Sequence, residues 1–190
     1  MNSIRNIVAL IAVALAGSAF AERPTYRNFE SKLESLSSSK FLKDRWSGSL
    51  GGITTFGERF FVSGSVGLGS DSAFGSTSVG LGTMKDIGTS SSLFAAIGAR
   101  RYNEANFSLA AATTNLNNEI TTATATVGFR SMVTDRMELQ TGVTKLARGI
   151  YSLQIGAKGT YYFSDSFGAV LELGSSDGDG SGGIGLQYRF

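Results

Sequence analysis

The chain has 190 residues, room for one domain, with a formal net charge of +2 and neither cysteine nor histidine. That excludes a disulfide framework and a thiolate metal site, and so small a charge gives no footing for nucleic-acid binding. Charged residues make up 17%, below the roughly 25% usual for soluble domains, while glycine is abundant and proline nearly absent. The first element in chain order reads as a signal peptide over 1–21. Arg5 supplies the positive start, Ile7 to Ala16 the apolar stretch, and Ala19-Phe20-Ala21 an A-x-A site with cleavage expected between Ala21 and Glu22. No other run reaches the roughly 20 apolar residues of a transmembrane helix, so a mature chain that enters a membrane has to do so as a closed barrel.

Residues 22–45 differ from the rest of the mature chain. Ten of these 24 residues are charged and none is glycine. Phe29, Leu33 and Leu36 fall at i, i+4 and i+7, which predicts a short amphipathic helix, serving either as a plug in a barrel or as a periplasmic tail.

From Trp46 to Phe190 the period becomes two. Phe60, Val62, Val66 and Leu68 alternate with serine and glycine; Ala123, Ala125, Val127 and Phe129 alternate with threonine, glycine and Arg130. Further sets run from Leu153 to Phe163, Phe167 to Leu173 and Ile184 to Phe190, and weaker segments cover 46–56, 76–84, 92–101, 106–113 and 136–146. These are ten segments of about the 9–11 residues that a tilted membrane strand needs. The expected fold is therefore all-β, a closed antiparallel transmembrane barrel of 8–10 strands over 46–190, ten being favoured. In the ten-strand scheme 70–75, 102–105, 133–135 and 164–166 are turns on the periplasmic side, and 57–59, 85–91, 114–120, 147–149 and 174–182 are outer loops. The eight-strand rival makes Lys85 to Gly88 a periplasmic turn, 46–56 a lead-in, and 106–113 part of a long outer loop.

Alternation alone also fits a soluble sandwich, so the polar face decides. It carries glycine, serine, threonine and glutamine rather than surface charge, which suits the inside of a narrow barrel. The aromatics Tyr161, Phe163, Phe167, Tyr188 and Phe190 cluster at strand ends, as in an interfacial girdle. Three-residue turns at 133–135, 147–149 and 164–166 would align Arg130, Glu138, Lys158 and Glu172 in one row of alternating sign across the lumen wall, where opposite charges attract across strands.

The terminal strand Gly183-Ile184-Gly185-Leu186-Gln187-Tyr188-Arg189-Phe190 resembles the outer-membrane β-signal in Gly185, Tyr188 and Phe190, and departs from it at Gly183, where a polar residue is usual. Tyr162 to Gly168 and Val133 to Met137 are similar to periplasmic turns of small bacterial OmpA/OmpX-like barrels. This resemblance implies insertion by the barrel-assembly machinery into the outer membrane of a Gram-negative bacterium, with outer-membrane lipid and lipopolysaccharide as partners. It leaves function open.

The chemistry of catalysis is thin. Without histidine the usual acid–base group at neutral pH is absent, and the strand carboxylates face cations in the expected row, so an enzyme is not expected. No metal or cofactor site is expected either. Asp177-Gly178-Asp179-Gly180 lacks the spacing of an EF-hand loop and reads as an acidic loop tip. Gly64 to Gly69 lacks the strand–loop–helix context of a dinucleotide site. Arg100 and Arg101 read either as contacts to lipid headgroups or lipopolysaccharide phosphate, or as snorkelling arginines. The functional readings are a non-conducting structural or surface-interacting barrel, a narrow diffusion channel, and, given longer loops, an adhesin.

Overall fold

The computed structural model describes residues 26–37, 45–69, 76–104, 118–148 and 152–190. The expected cleavage at Ala21 and Glu22, and the segment 106–113, lie outside these residues. Ten strands form one closed antiparallel barrel: β1 (Asn28–Ser37), β2 (Arg45–Phe56), β3 (Phe60–Gly69), β4 (Ser76–Asp86), β5 (Ser91–Glu104), β6 (Asn118–Thr134), β7 (Met137–Leu146), β8 (Leu153–Tyr162), β9 (Phe167–Ser176) and β10 (Asp179–Arg189). Each strand pairs with its chain neighbours, and β1 closes the ring on β10 through a ladder from Asn28↔Arg189 to Ser37↔Gly180.

The period-two pattern explains the wall. On β3 Phe60, Val62, Val66 and Leu68 are exposed on the outside, while Phe61, Ser63, Ser65 and Gly67 face the lumen. The alternation repeats on β9, where Leu171 and Leu173 face out and Val170 and Glu172 face in. Leu68 is 73% exposed while Arg130 is 1% exposed, an inversion of the soluble pattern that places apolar side chains against lipid and polar ones inside.

The strand count agrees with the favoured ten, but its make-up differs. The helix expected around Phe29 and Leu33 is instead β1, the first strand of the barrel, and no helix occurs among the described residues. Phe29 and Leu33 share the outer face because a spacing of four fits a strand as well as a helix. Glu30, Lys32 and Glu34 face inward, and it is these lumen charges that give the segment its soluble look.

This extra strand moves the turns. The ends at 57–59, 87–90, 135–136 and 163–166 all gather at the rim that holds Asn28 and Arg189, where Met84 N donates to Arg59 O, Met132 N to Ser90 O, Tyr162 N to Arg136 O and Arg189 N to Ser166 O. The expectation that sets 57–59 and 85–91 on the side opposite 133–135 and 164–166 is therefore corrected. Two connections are also tighter than expected. Asp177-Gly178 is a two-residue hairpin turn with φ of 49° and 100°, the paired positive values of a type I′ turn, in place of the longer loop expected over 174–182. Between β6 and β7 a register shift at Met132/Thr134 leaves only Asp135-Arg136 between the strands.

Candidate functional site: the bridged lumen

The inner wall holds small residues over much of its surface, which leaves room for a few large side chains to cross the barrel. Tyr26, just ahead of β1, continues the inward parity of Asn28, Glu30 and Lys32 and turns its ring into the lumen, 6% exposed. It stacks on Phe61 of β3 at 5.4 Å and meets Phe94 of β5 edge-on at 6.4 Å. Its hydroxyl shares a 2.7 Å hydrogen bond with Ser92 Oγ. From β6, directly opposite β1 in the ring, the Arg130 guanidinium lies over the same ring at 4.9 Å.

The phenylalanines are seated on glycines. A Cβ on Gly82 would overlap the Phe61 ring, and one on Gly128 would overlap Phe94. Gly82→Ala is expected to push Phe61 off its seat and destabilise the barrel by about 1–3 kcal/mol, the usual cost of overpacking. A lower urea midpoint for unfolding from lipid vesicles, at unchanged slope, is the expected reading.

A hydrogen-bonded chain continues from Arg130. Its Nε donates to Glu138 Oε1 at 2.5 Å, both side chains being 1% exposed. Tyr162 Oη donates to Glu138 Oε2 at 3.1 Å, and Gln187 Nε2 donates to Tyr162 Oη. Lys158 Nζ donates to Gln187 Oε1 at 3.2 Å and to Glu30 Oε2 at 2.7 Å, so the chain runs from β6 through β7, β8 and β10 to β1. Lys32 Nζ ties β1 to Glu172 of β9 at 2.7 Å and lies 3.5 Å from Glu34. Farther from the terminal rim Arg100 Nη1 of β5 reaches Gln154 Oε1 of β8 at 3.4 Å. Arg130 Nη1 and Nη2 find no hydrogen-bond acceptor among the described residues; the guanidinium face is instead covered by Tyr26.

The four charges of the expected row all point into the lumen, but they do not form a row. Arg130 stands opposite Gln140, Glu138 opposite Met132 and Thr160, and only Lys158 and Glu172 are directly opposed. The β6–β7 turn with its bulge, and the β7–β8 pairing that sets Gln140 opposite Lys158, each displace the register by two residues from the one that three-residue turns would give, so Arg130 meets Glu138 on the diagonal and Glu138 no longer faces Lys158. Lys158 and Glu172 turn to partners on β1, Glu30 and Lys32, a strand the expected row did not contain.

The other residues singled out by the sequence fall on the closing seam, the outer face and the turns. Gly185 sits on the seam, where a Cβ would collide with Ser31 O of β1, so close backbone approach requires glycine there. Tyr188 and Phe190 are on the outer face with rings 6.0 Å apart, and Phe167 adds to them at 4.9 Å from Tyr188. Arg100 and Arg101 part company, Arg100 inward and Arg101 outward and exposed. The Asp177 carboxylate accepts from Ser152 N, Ser152 Oγ and Leu153 N, which pins the β9–β10 turn to the start of β8. No metal-type cluster of acidic residues occurs among the described residues.

No family model and no curated protein matches the sequence. Among solved structures the chain is similar to the KdgM porin, at 11% identity over 86% of this chain and 99% of that one, with a TM-score of 0.50. The KdgM porin in complex with disordered oligogalacturonate aligns over the same shares at 12% identity and a TM-score of 0.51. The N-terminal β-barrel domain of Pseudomonas aeruginosa OprF aligns over 86% of this chain and 98% of that one, at 17% identity and a TM-score of 0.42. At these identities the likeness concerns the fold, and it agrees with the inverted wall: this chain is a closed ten-strand barrel with the fold of the outer-membrane β-barrels.

Proposed function

We propose that this protein is a non-enzymatic outer-membrane barrel with a sealed lumen, acting as a structural or surface-interacting element of the envelope. The observation that carries this reading is the contact between Tyr26 and Arg130. It joins diametrically opposite walls at a level where Arg130, Glu138, Tyr162 and Gln187 are almost wholly buried. Water and ions need a continuous polar path, and aromatic rings stacked across the lumen interrupt it. In planar bilayers the folded protein is expected to be silent; steady ohmic steps would reject the seal and favour a narrow channel. That second reading has one observation in its favour, the fold shared with the KdgM porin.

By the convention of bacterial barrels, the rim carrying Asn28 and Arg189 faces the periplasm. The cysteine-free chain offers a clean test. A membrane-impermeant maleimide is expected to label Arg148→Cys in intact cells and Asp135→Cys only after permeabilisation. The reverse pattern would invert the orientation.

A further inference from the structure

The lumen is not equally dry along its length. The inward carboxylates of Glu172 and Glu34 are 28% and 32% exposed, whereas Arg130 and Glu138, at the level of Tyr26, are 1% exposed. A solvent-accessible polar section of the lumen therefore ends on one dry layer beside the terminal rim.

That layer has a fixed part and a loose part. Phe61 and Phe94 belong to β3 and β5 and meet edge-on at 6.3 Å above their glycine seats. Tyr26 belongs to no strand. The ladders on both sides of β1 end at Asn28, opposite Arg189 and Ile53, and one further backbone bond, from Phe190 N to Arg27 O, holds Arg27. Tyr26 lies beyond it, in a bend, and its side chain spans the lumen through the rings of Phe61 and Phe94, the Arg130 guanidinium and the Ser92 hydroxyl. A turn about Arg27 breaks these side-chain contacts and no rung of the ladder. The layer can also receive the water that follows. Asn28 Nδ2, two residues along from Tyr26 on the same face, and Thr160 Oγ1, directly opposite Glu138, have no protein partner among the described residues, like Nη1 and Nη2 of Arg130. We infer that Tyr26 is a hinged cork, which swings about Arg27 to the terminal rim and admits water to the lumen from that side while the ten-strand ring stays closed. The inference rests on the sealed lumen proposed above.

Thr160→Cys puts a thiol into the dry layer of a chain that has no cysteine, at a side chain 1% exposed. The barrel in lipid vesicles, shown to be folded by heat-dependent gel mobility, is treated with a charged methanethiosulfonate. Labelling is expected to be faster than unfolding and nearly flat at low urea, because a local opening exposes little surface and global unfolding exposes much. Adding Tyr26→Ala should speed labelling about tenfold or more, and adding Ser92→Ala about two- to tenfold, the worth of one neutral hydrogen bond. Labelling that rises with urea as steeply as unfolding would overturn the cork, since the thiol is then reached only in unfolded chains. So would an unchanged rate in the Tyr26→Ala background, which would mean that the reagent arrives past Lys158 from the other end. Failure of the seal is distinguishable, because it shows as steady ohmic steps in the wild type, whereas a silent wild type with steeply urea-dependent labelling refutes the hinge alone.

Discussion

Glu138→Gln is expected to lower the stability of the barrel by about 3–5 kcal/mol, the usual result of stripping a buried charge of its partner. Glu138 accepts from both Arg130 and Tyr162, so its neutralisation leaves a guanidinium that is 1% exposed with no counter-charge in contact. Urea unfolding from lipid vesicles, followed by the fluorescence of the single tryptophan, Trp46, measures the change. The companion variant decides the cause. Arg130→Met combined with Glu138→Leu removes both charges and should recover most of the loss, because a buried ion pair replaced by apolar groups of similar volume is often neutral or stabilising. If Glu138→Gln proves as stable as the wild type, the Arg130–Glu138 contact contributes nothing and the network is not what holds β6 to β7.

Opening the seal should have the largest effect on transport. Tyr26→Ala combined with Phe61→Ala removes the two stacked rings that meet Arg130 and Phe94. The double variant is expected to convert a silent barrel into one with steady ohmic steps, small because Lys158–Glu30 and Arg100–Gln154 still cross the lumen. A fully silent double variant would mean that those remaining bridges are enough to close the path. An already conducting wild type would remove the premise. Tyr26 lies ahead of β1, so removing its ring costs no rung of the barrel ladder and the variant should still close.

Much of this architecture is legible in the sequence. Alternation of apolar residues with glycine and serine locates β3, β8, β9 and β10, because a wall between lipid and lumen imposes period two with few exceptions. The failures have physical causes. In β1 the alternating partners are Glu30, Lys32 and Glu34, and an interior charge is indistinguishable by composition from a surface one. The addition of β1 at the start of the ring reverses the sides of the early turns, while 106–113 lies outside the described residues. The Asp177-Gly178 pair carries the signal for a two-residue type I′ hairpin, which the calcium question obscures. The lumen is the least legible part. Strand-by-strand register predicts neighbours within the wall, and the direct opposition of Lys158 and Glu172 can be read that way. Contacts that cross the barrel, such as Tyr26 with Arg130 or Lys158 with Glu30, belong to the closed ring rather than to any pair of adjacent strands.

The seam between β1 and β10 also governs the order of assembly. Its ladder joins the two ends of the barrel, and across it β1 reaches Glu172 of β9 through Lys32 and Lys158 of β8 through Glu30, 140 and 128 positions apart. Such contacts come late, since the loop entropy of bringing distant segments together is spent before they form. Until β10 docks, the sheet has two unpaired edges, which hydrocarbon does not tolerate and which readily pair with other chains. Closure therefore acts as a latch. A polypeptide lacking either flank of the seam keeps an unpaired edge where β1 and β10 would meet, and the intact chain must be kept from aggregating until both flanks are present.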